Sequence, residues 1–297
     1  MARRGVRVLG EDADAPARPA GRPGRPPNPA PDQEVWLDEG IVEEPGGRGN
    51  GRGAHGAGHP VATGAVAGKA EGLPDDIRDE LTGAAGRARG AKLAERLAAA
   101  ARAYARDRYP EAQRLTKSLV TEVPGSASAR ELHGLVSYRM GRYREAVRHL
   151  EAARGLAEDD PSQLPVIMDC HRAMGHHRRV EVLWEELRAA SPDADVLAEG
   201  RLVLAAELAD RGELDRATEL LVAAGAGRNL RHPAERHVRQ WYVLADLAER
   251  AGDLPRARQL FERVVVADPE LADAAVRLAA LGRSKSRTTR KRGGGGR

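Results

Sequence analysis

A short phrase recurs through this sequence at a spacing of 34 residues. "RDRYPEAQRL" (106–115) aligns with "MGRYREAVRHL" (140–150), so that Tyr109 matches Tyr143 and Ala112 matches Ala146. One period further on, "MGHHRRVEVLWEEL" (174–187) puts Gly175 under Gly141 and Val180 under Ala146. The phrase returns at longer spacing in "RGELDRATELL" (211–221) and "AGDLPRARQLF" (251–261), each with a turn glycine, an apolar residue two later and an alanine three after that. Repetition on this scale limits the chain to architectures in which like units stack on their neighbours.

Within a unit the apolar residues fall three and four apart, as in Leu132, Leu135, Val136 and Met140, and again in Val147, Leu150 and Ala153. That is the period of a helix with one buried face. Gly141, Gly175, Gly212 and Gly252 end the first helix of each pair, where a left-handed backbone is easiest without a Cβ. Pro124, Pro192 and Pro269 close three of the second helices, since proline lacks the N–H that would continue them. Small residues such as Gly134, Ala146, Ala205, Ala217, Ala245 and Ala257 stand where paired helices approach closely. A glycine flanking a helix suggests a phosphate loop, but such a loop sets its glycines between a strand and a helix with a Lys-Ser/Thr pair, and no strand pattern occurs in the folded region.

These residues resemble the tetratricopeptide repeat, a helix-turn-helix unit of 34 residues. The best matches are "ELHGLVSYRMGRYREAVRHLEAA" (131–153) and "WYVLADLAERAGDLPRARQLFERVVVADP" (241–269), the second carrying Trp241, Leu244, Ala257, Phe261 and Pro269. The resemblance covers about 93–270; the fourth unit departs from it, lacking the closing proline and running into "AAGAGRNLRHPAE". The whole layout also resembles a group of actinobacterial tetratricopeptide proteins. It implies an all-α, right-handed superhelical solenoid of about five helix pairs, closed by a leading helix in "LPDDIRDELTGAAGRAR" and a final one in "ELADAAVRLAAL".

The resemblance further implies a non-catalytic scaffold or adaptor that binds a peptide or protein on its concave face, lined by the first helix of each pair. Its inward-facing positions fall on Leu135, Tyr138 and Arg139 in the second unit, and on Asp169 and Arg172 in the third. Ala206 and Asp210 follow in the fourth, then Tyr242, Asp246 and Arg250 in the fifth. This lining departs from the Lys/Asn set with which chaperone-associated members hold a terminal carboxylate. It suits a ligand of mixed charge with an apolar anchor.

The ends differ in composition. Residues 1–72 read "ARPAGRPGRPPNPAPDQ" and "EEPGGRGNGRGAHGAGHP", and the chain holds 33 Gly and 18 Pro with 3% aromatics. Such a segment buries too little apolar surface to offset ordering, roughly 1–2 kcal/mol per residue. The expected organisation is a disordered arm at 1–72, a helical repeat domain at 73–282 and a disordered basic tail at 283–297. Within the arm, "EVWLDEGIVEE" (34–44) is an acidic and apolar island suited to folding on a partner or docking back on the solenoid.

The net charge of +4, from 48 basic and 44 acidic residues, sits largely in the ends. The tail "RSKSRTTRKR" carries the alternative reading, a nucleic-acid- or ribosome-associated factor making salt-sensitive contact without sequence preference. One cysteine, Cys170, excludes an internal disulfide framework. No apolar run approaches the roughly 20 residues of a membrane span, and no apolar core follows the early arginines to make a secretory signal. A cytoplasmic protein is therefore expected, and the Ala, Gly and Arg bias suggests a high-GC bacterial genome.

Chemistry-bearing clusters are few. "CHRAMGHH" (170–177) has one cysteine and three histidines but neither CxxC nor HxxxH spacing, so a packed cysteine beside a histidine-rich turn is the reading. Glu185-Glu186, Asp159-Asp160 and Asp75-Asp76 fall at helix starts, turns and solvated faces, as caps and surface charge do. No enzyme, cofactor or metal site is expected.

Overall fold

The computed structural model describes the backbone of residues 73–290 and the side chains of residues 73–282. Among the described residues twelve α-helices follow one another: α1 (Asp75–Ala85), α2 (Arg87–Ala105), α3 (Tyr109–Glu122), α4 (Ala127–Arg139), α5 (Tyr143–Leu156), α6 (Leu164–Ala173), α7 (His177–Ala190), α8 (Ala194–Asp210), α9 (Leu214–Ala223), α10 (Glu235–Arg250), α11 (Leu254–Ala267) and α12 (Ala274–Arg290). There is no strand among the described residues. The island at 34–44 lies outside them, and the basic stretch 283–297 lies outside the described side chains.

The repeated phrase is the turn of five helix pairs, α2/α3, α4/α5, α6/α7, α8/α9 and α10/α11. At each turn one residue takes positive φ: Asp107 (56°), Gly141 (72°), Gly175 (73°), Gly212 (81°) and Gly252 (80°). The next amide, on Arg108, Arg142, His176, Glu213 or Asp253, donates back to the carbonyl of Ala103, Ser137, His171, Leu208 or Ala248 at 2.8–2.9 Å. This hydrogen bond across the helix end satisfies a carbonyl the helix leaves orphaned. The first turn uses Asp107 where the others use glycine, one of the few side chains that tolerate the left-handed region.

Five residues after the turn residue stand Ala112, Ala146, Val180, Ala217 and Ala257, all fully buried. They hold the crossing between paired helices close. Gly134 closes the second crossing further: a Cβ there would lie 2.7 Å from Leu150 Cγ and 3.2 Å from the Leu150 backbone nitrogen.

Each second helix packs on the first helix of the next pair, and the first helices also touch in series, α2 to α4 to α6 to α8 to α10. They form one continuous inner row. α1 covers the start, burying Ile77 and Leu81 together with Leu73 just before it, and its Glu80 carboxylate accepts from the Ser128 hydroxyl at 2.5 Å. α12 covers the far end through Ala274 and Leu281. Ends need such covers because a unit otherwise presents an apolar face to water.

Candidate functional site

The inner row carries a chain of linked side chains from helix to helix. Tyr138 on α4 donates its hydroxyl to Asp169 on α6 at 2.5 Å. Arg172, one turn further along α6, donates to Asp169 at 2.8 Å and to Asp210 on α8 at 2.5 Å. Arg250 on α10 reaches back to the Ala209 carbonyl at 2.6 Å and lies 3.8 Å from Asp246. Asp246 in turn accepts from Arg277 of α12 at 2.8 Å. At the other end, Arg139 donates to Asp107 at 3.4 Å, with its guanidinium 5.0 Å from the centre of the Tyr109 ring.

The row separates the expected binding residues into two groups. Arg139, Asp210 and Arg250 are exposed, while Ala206, Arg172 and Asp246 are half-buried at its edge. Leu135 and Tyr242 do not reach that surface. Leu135 is 2% exposed in the core, and Tyr242 is 4% exposed, packed edge-on against Phe261 at 5.8 Å with its hydroxyl donating to Asp273 at 2.6 Å. The register that assigns inward positions does not separate outward-facing residues from those turned into the neighbouring helix. Tyr138 and Asp169 belong with the framework too: Asp169 is buried, and a buried carboxylate needs the partners that Tyr138 and Arg172 supply. Burial, then the Asp169 charge beside it, pushes the Tyr138 phenol well above its ordinary range.

Arg277 was not legible as part of this row. It donates to Glu249 at 2.7 Å as well as to Asp246, and lies 4.7 Å over the Phe261 ring. Its sequence context, in a helix beyond the last repeat, gives only the expectation of a cap.

A second polar cluster lies inside the α4/α5 pair. His133 is 2% exposed and His149 9%, with their rings edge-to-face at 4.5 Å. His133 Nδ1 lies 2.8 Å from the Thr116 hydroxyl of α3, and its Nε2 lies 3.3 Å from Glu145 Oε1. Arg142 approaches the other oxygen of Glu145 at 3.7 Å. One nitrogen of each imidazole and a Glu145 oxygen lie within 4.8 Å of one another, and the buried His149 Nδ1 has no hydrogen-bond partner. Burial lowers the pKa of both histidines, His149 to about 4 with help from His133, so both rings are neutral near pH 7. The sequence signal was available in Glu145 and His149, four apart on one helix face, opposite a histidine of the partner helix.

Cys170 is fully buried, and burial pushes its thiol upward. His171, half-buried in the last turn of α6, lies Nδ1 to Nδ1 at 3.1 Å from His176 on the exposed turn that follows. Among the described residues they form no three-ligand group with Cys170.

The helix pairs and their stacking are similar to the crystal structure of a thermophilic TPR protein from Thermus thermophilus, with a TM-score of 0.54 and 19% identity over 64% of this chain and 98% of that one. The fold is thus an all-α, right-handed tetratricopeptide-like solenoid. No family model matches the chain, and no curated protein matches it. No helix among the described residues is long and apolar enough to cross a membrane.

Proposed function

We propose that the solenoid is a non-catalytic scaffold that binds a peptide or protein segment along its inner, concave row of first helices, at Arg139, Arg172, Asp210, Asp246 and Arg250. One observation carries the reading: the linked series Tyr138–Asp169–Arg172–Asp210 runs across three successive first helices, with Arg139 and Asp210 exposed at its ends. The charges on this row are already paired with one another. A ligand bearing both signs exchanges partners there and strands no charge, whereas a purely acidic or basic ligand leaves one sign unpaired. Such pairing favours specificity and orientation over raw affinity. The alternative, contact with nucleic acid through 283–297, predicts salt-dependent retention on RNA that disappears on truncation after Leu281.

The test is a charge exchange on the full chain, measured against the partner recovered from native lysate. Arg139→Glu with Asp210→Arg should weaken binding at least tenfold, about 1.4 kcal/mol. Arg144→Glu with Asp215→Arg, the same exchange on exposed second-helix positions, should leave it unchanged. The reverse pattern would move the site to the outer face.

A further inference from the structure

The middle of the second helix pair is built differently from the middle of the other four. Aligned on the positive-φ turn residues, His133 and His149 stand where the other pairs have Ala99 and Leu115, Ile167 and Leu183, Leu204 and Leu220, and Leu244 and Leu260. A buried polar group costs stability unless something satisfies it. Thr116 meets one side of His133: its hydroxyl lies 2.9 Å from the Ala112 carbonyl and 2.8 Å from His133 Nδ1, which donates to it when the imidazole proton sits on Nδ1. In that tautomer the Nε2 lone pair faces a Glu145 oxygen at 3.3 Å, a gap bridged either by the proton of the other tautomer or by a metal ion. His149 adds a second neutral imidazole with an unpartnered buried nitrogen.

We propose that His133, Glu145 and His149 bind one divalent transition-metal ion, with zinc the best fit, between the two helices of the second pair. Two nitrogens and one carboxylate oxygen are a donor set zinc accepts, with bonds of about 2.0–2.2 Å and a fourth position left to water. At such bond lengths a tetrahedral ion sets its ligand atoms about 3.4 Å apart, close to the 3.3 Å between His133 Nε2 and Glu145 Oε1. With the ion on Nε2, Thr116 takes the supporting part, accepting from Nδ1–H and holding the ring. Glu145, half-buried, gives the ion its way in from solvent. Arg142 beside Glu145 and the neighbouring Arg130, Arg148 and Lys117 oppose a cation, which sets the expected affinity in the micromolar range.

The experiment uses the untagged full chain, stripped with a chelator and desalted, then titrated with Zn²⁺ by calorimetry and with Co²⁺ by visible absorption. The expected result is one such site per chain, with zinc raising the melting temperature. Glu145→Gln, a half-exposed change that leaves the core intact, should weaken that site at least tenfold and abolish the thermal shift. His133→Leu with His149→Leu, which restores the apolar pattern of the other pairs, should remove it while circular dichroism stays helical. His171→Gln with His176→Gln should leave it unchanged. Absence of micromolar binding by the parent chain, or equal binding by Glu145→Gln and the double leucine variant, would overturn the proposal.

Discussion

The second and fifth helix pairs share a register and differ in what fills it. In both, a glycine turn of positive φ leads to a fully buried alanine, Ala146 or Ala257, at the crossing. The fifth pair packs Leu244 and Leu260 in its middle and sets Tyr242 edge-on against Phe261. In the second pair, the positions of Leu244, Leu260 and Tyr242 are His133, His149 and Glu131. The turn and the crossing define the unit, then, while the middle positions are free to carry polar chemistry. A unit that contacts only its neighbours confines the cost of such a change to one pair.

The largest expected effect comes from moving the polar middle across. Leu244→His with Leu260→His places two imidazoles in the fifth pair with no counterpart of Thr116 or Glu145, and should cost about 4 kcal/mol or more. Denaturant midpoints measure it. A cost below about 1 kcal/mol would mean that the two middles are equivalent environments.

The crossings differ more finely. Gly134 lets α4 approach Leu150, and its counterpart Ala245 already carries a Cβ that is fully buried. Gly134→Ala should therefore overpack the second pair by about 1–3 kcal/mol. Unchanged stability would show that the second crossing has the spacing of the fifth.

A smaller contrast concerns pH. Burial, with Asp160 nearby, raises Glu131 to about 7 against the 2.7 Å hydrogen bond from Gln163, whereas its counterpart Tyr242 titrates only near 12. An acid raised on folding keeps its proton in the native state after the unfolded chain has lost it. Its contribution is therefore full below about 4.5 and is lost as pH rises through about 7. Between pH 5 and pH 8 the parent should lose about 2–3 kcal/mol relative to Glu131→Gln, which keeps an acceptor for Gln163. Parallel pH curves for the two proteins would remove Glu131 as the cause.

The sequence made the repeats legible because their signals are local. Gly141, Gly175, Gly212 and Gly252 mark turns by a backbone property that hardly depends on tertiary context. The first turn is marked less clearly, since Asp107 takes the same conformation with a side chain. The face was legible only in part. Arg139, Asp210 and Arg250 reach the surface, but Leu135 and Tyr242 turn inward, because neighbouring helices decide which flank of an inner helix is covered. The histidine pocket was missed because periodicity counts apolar positions, and His133 and His149 occupy two of them as polar residues.

The central claim, that a partner lies along the first helices, is tested most directly by arginine footprinting of the full chain with and without its bound partner. Arg139, Arg172 and Arg250 lie on the inner row, and Arg144, Arg178, Arg216 and Arg256 are exposed on second helices. Binding on the inner row predicts that the first three lose reactivity towards a guanidine-specific reagent while the other four keep it. Protection of the second-helix arginines, with Arg139 and Arg250 as reactive as in the free chain, would contradict the account.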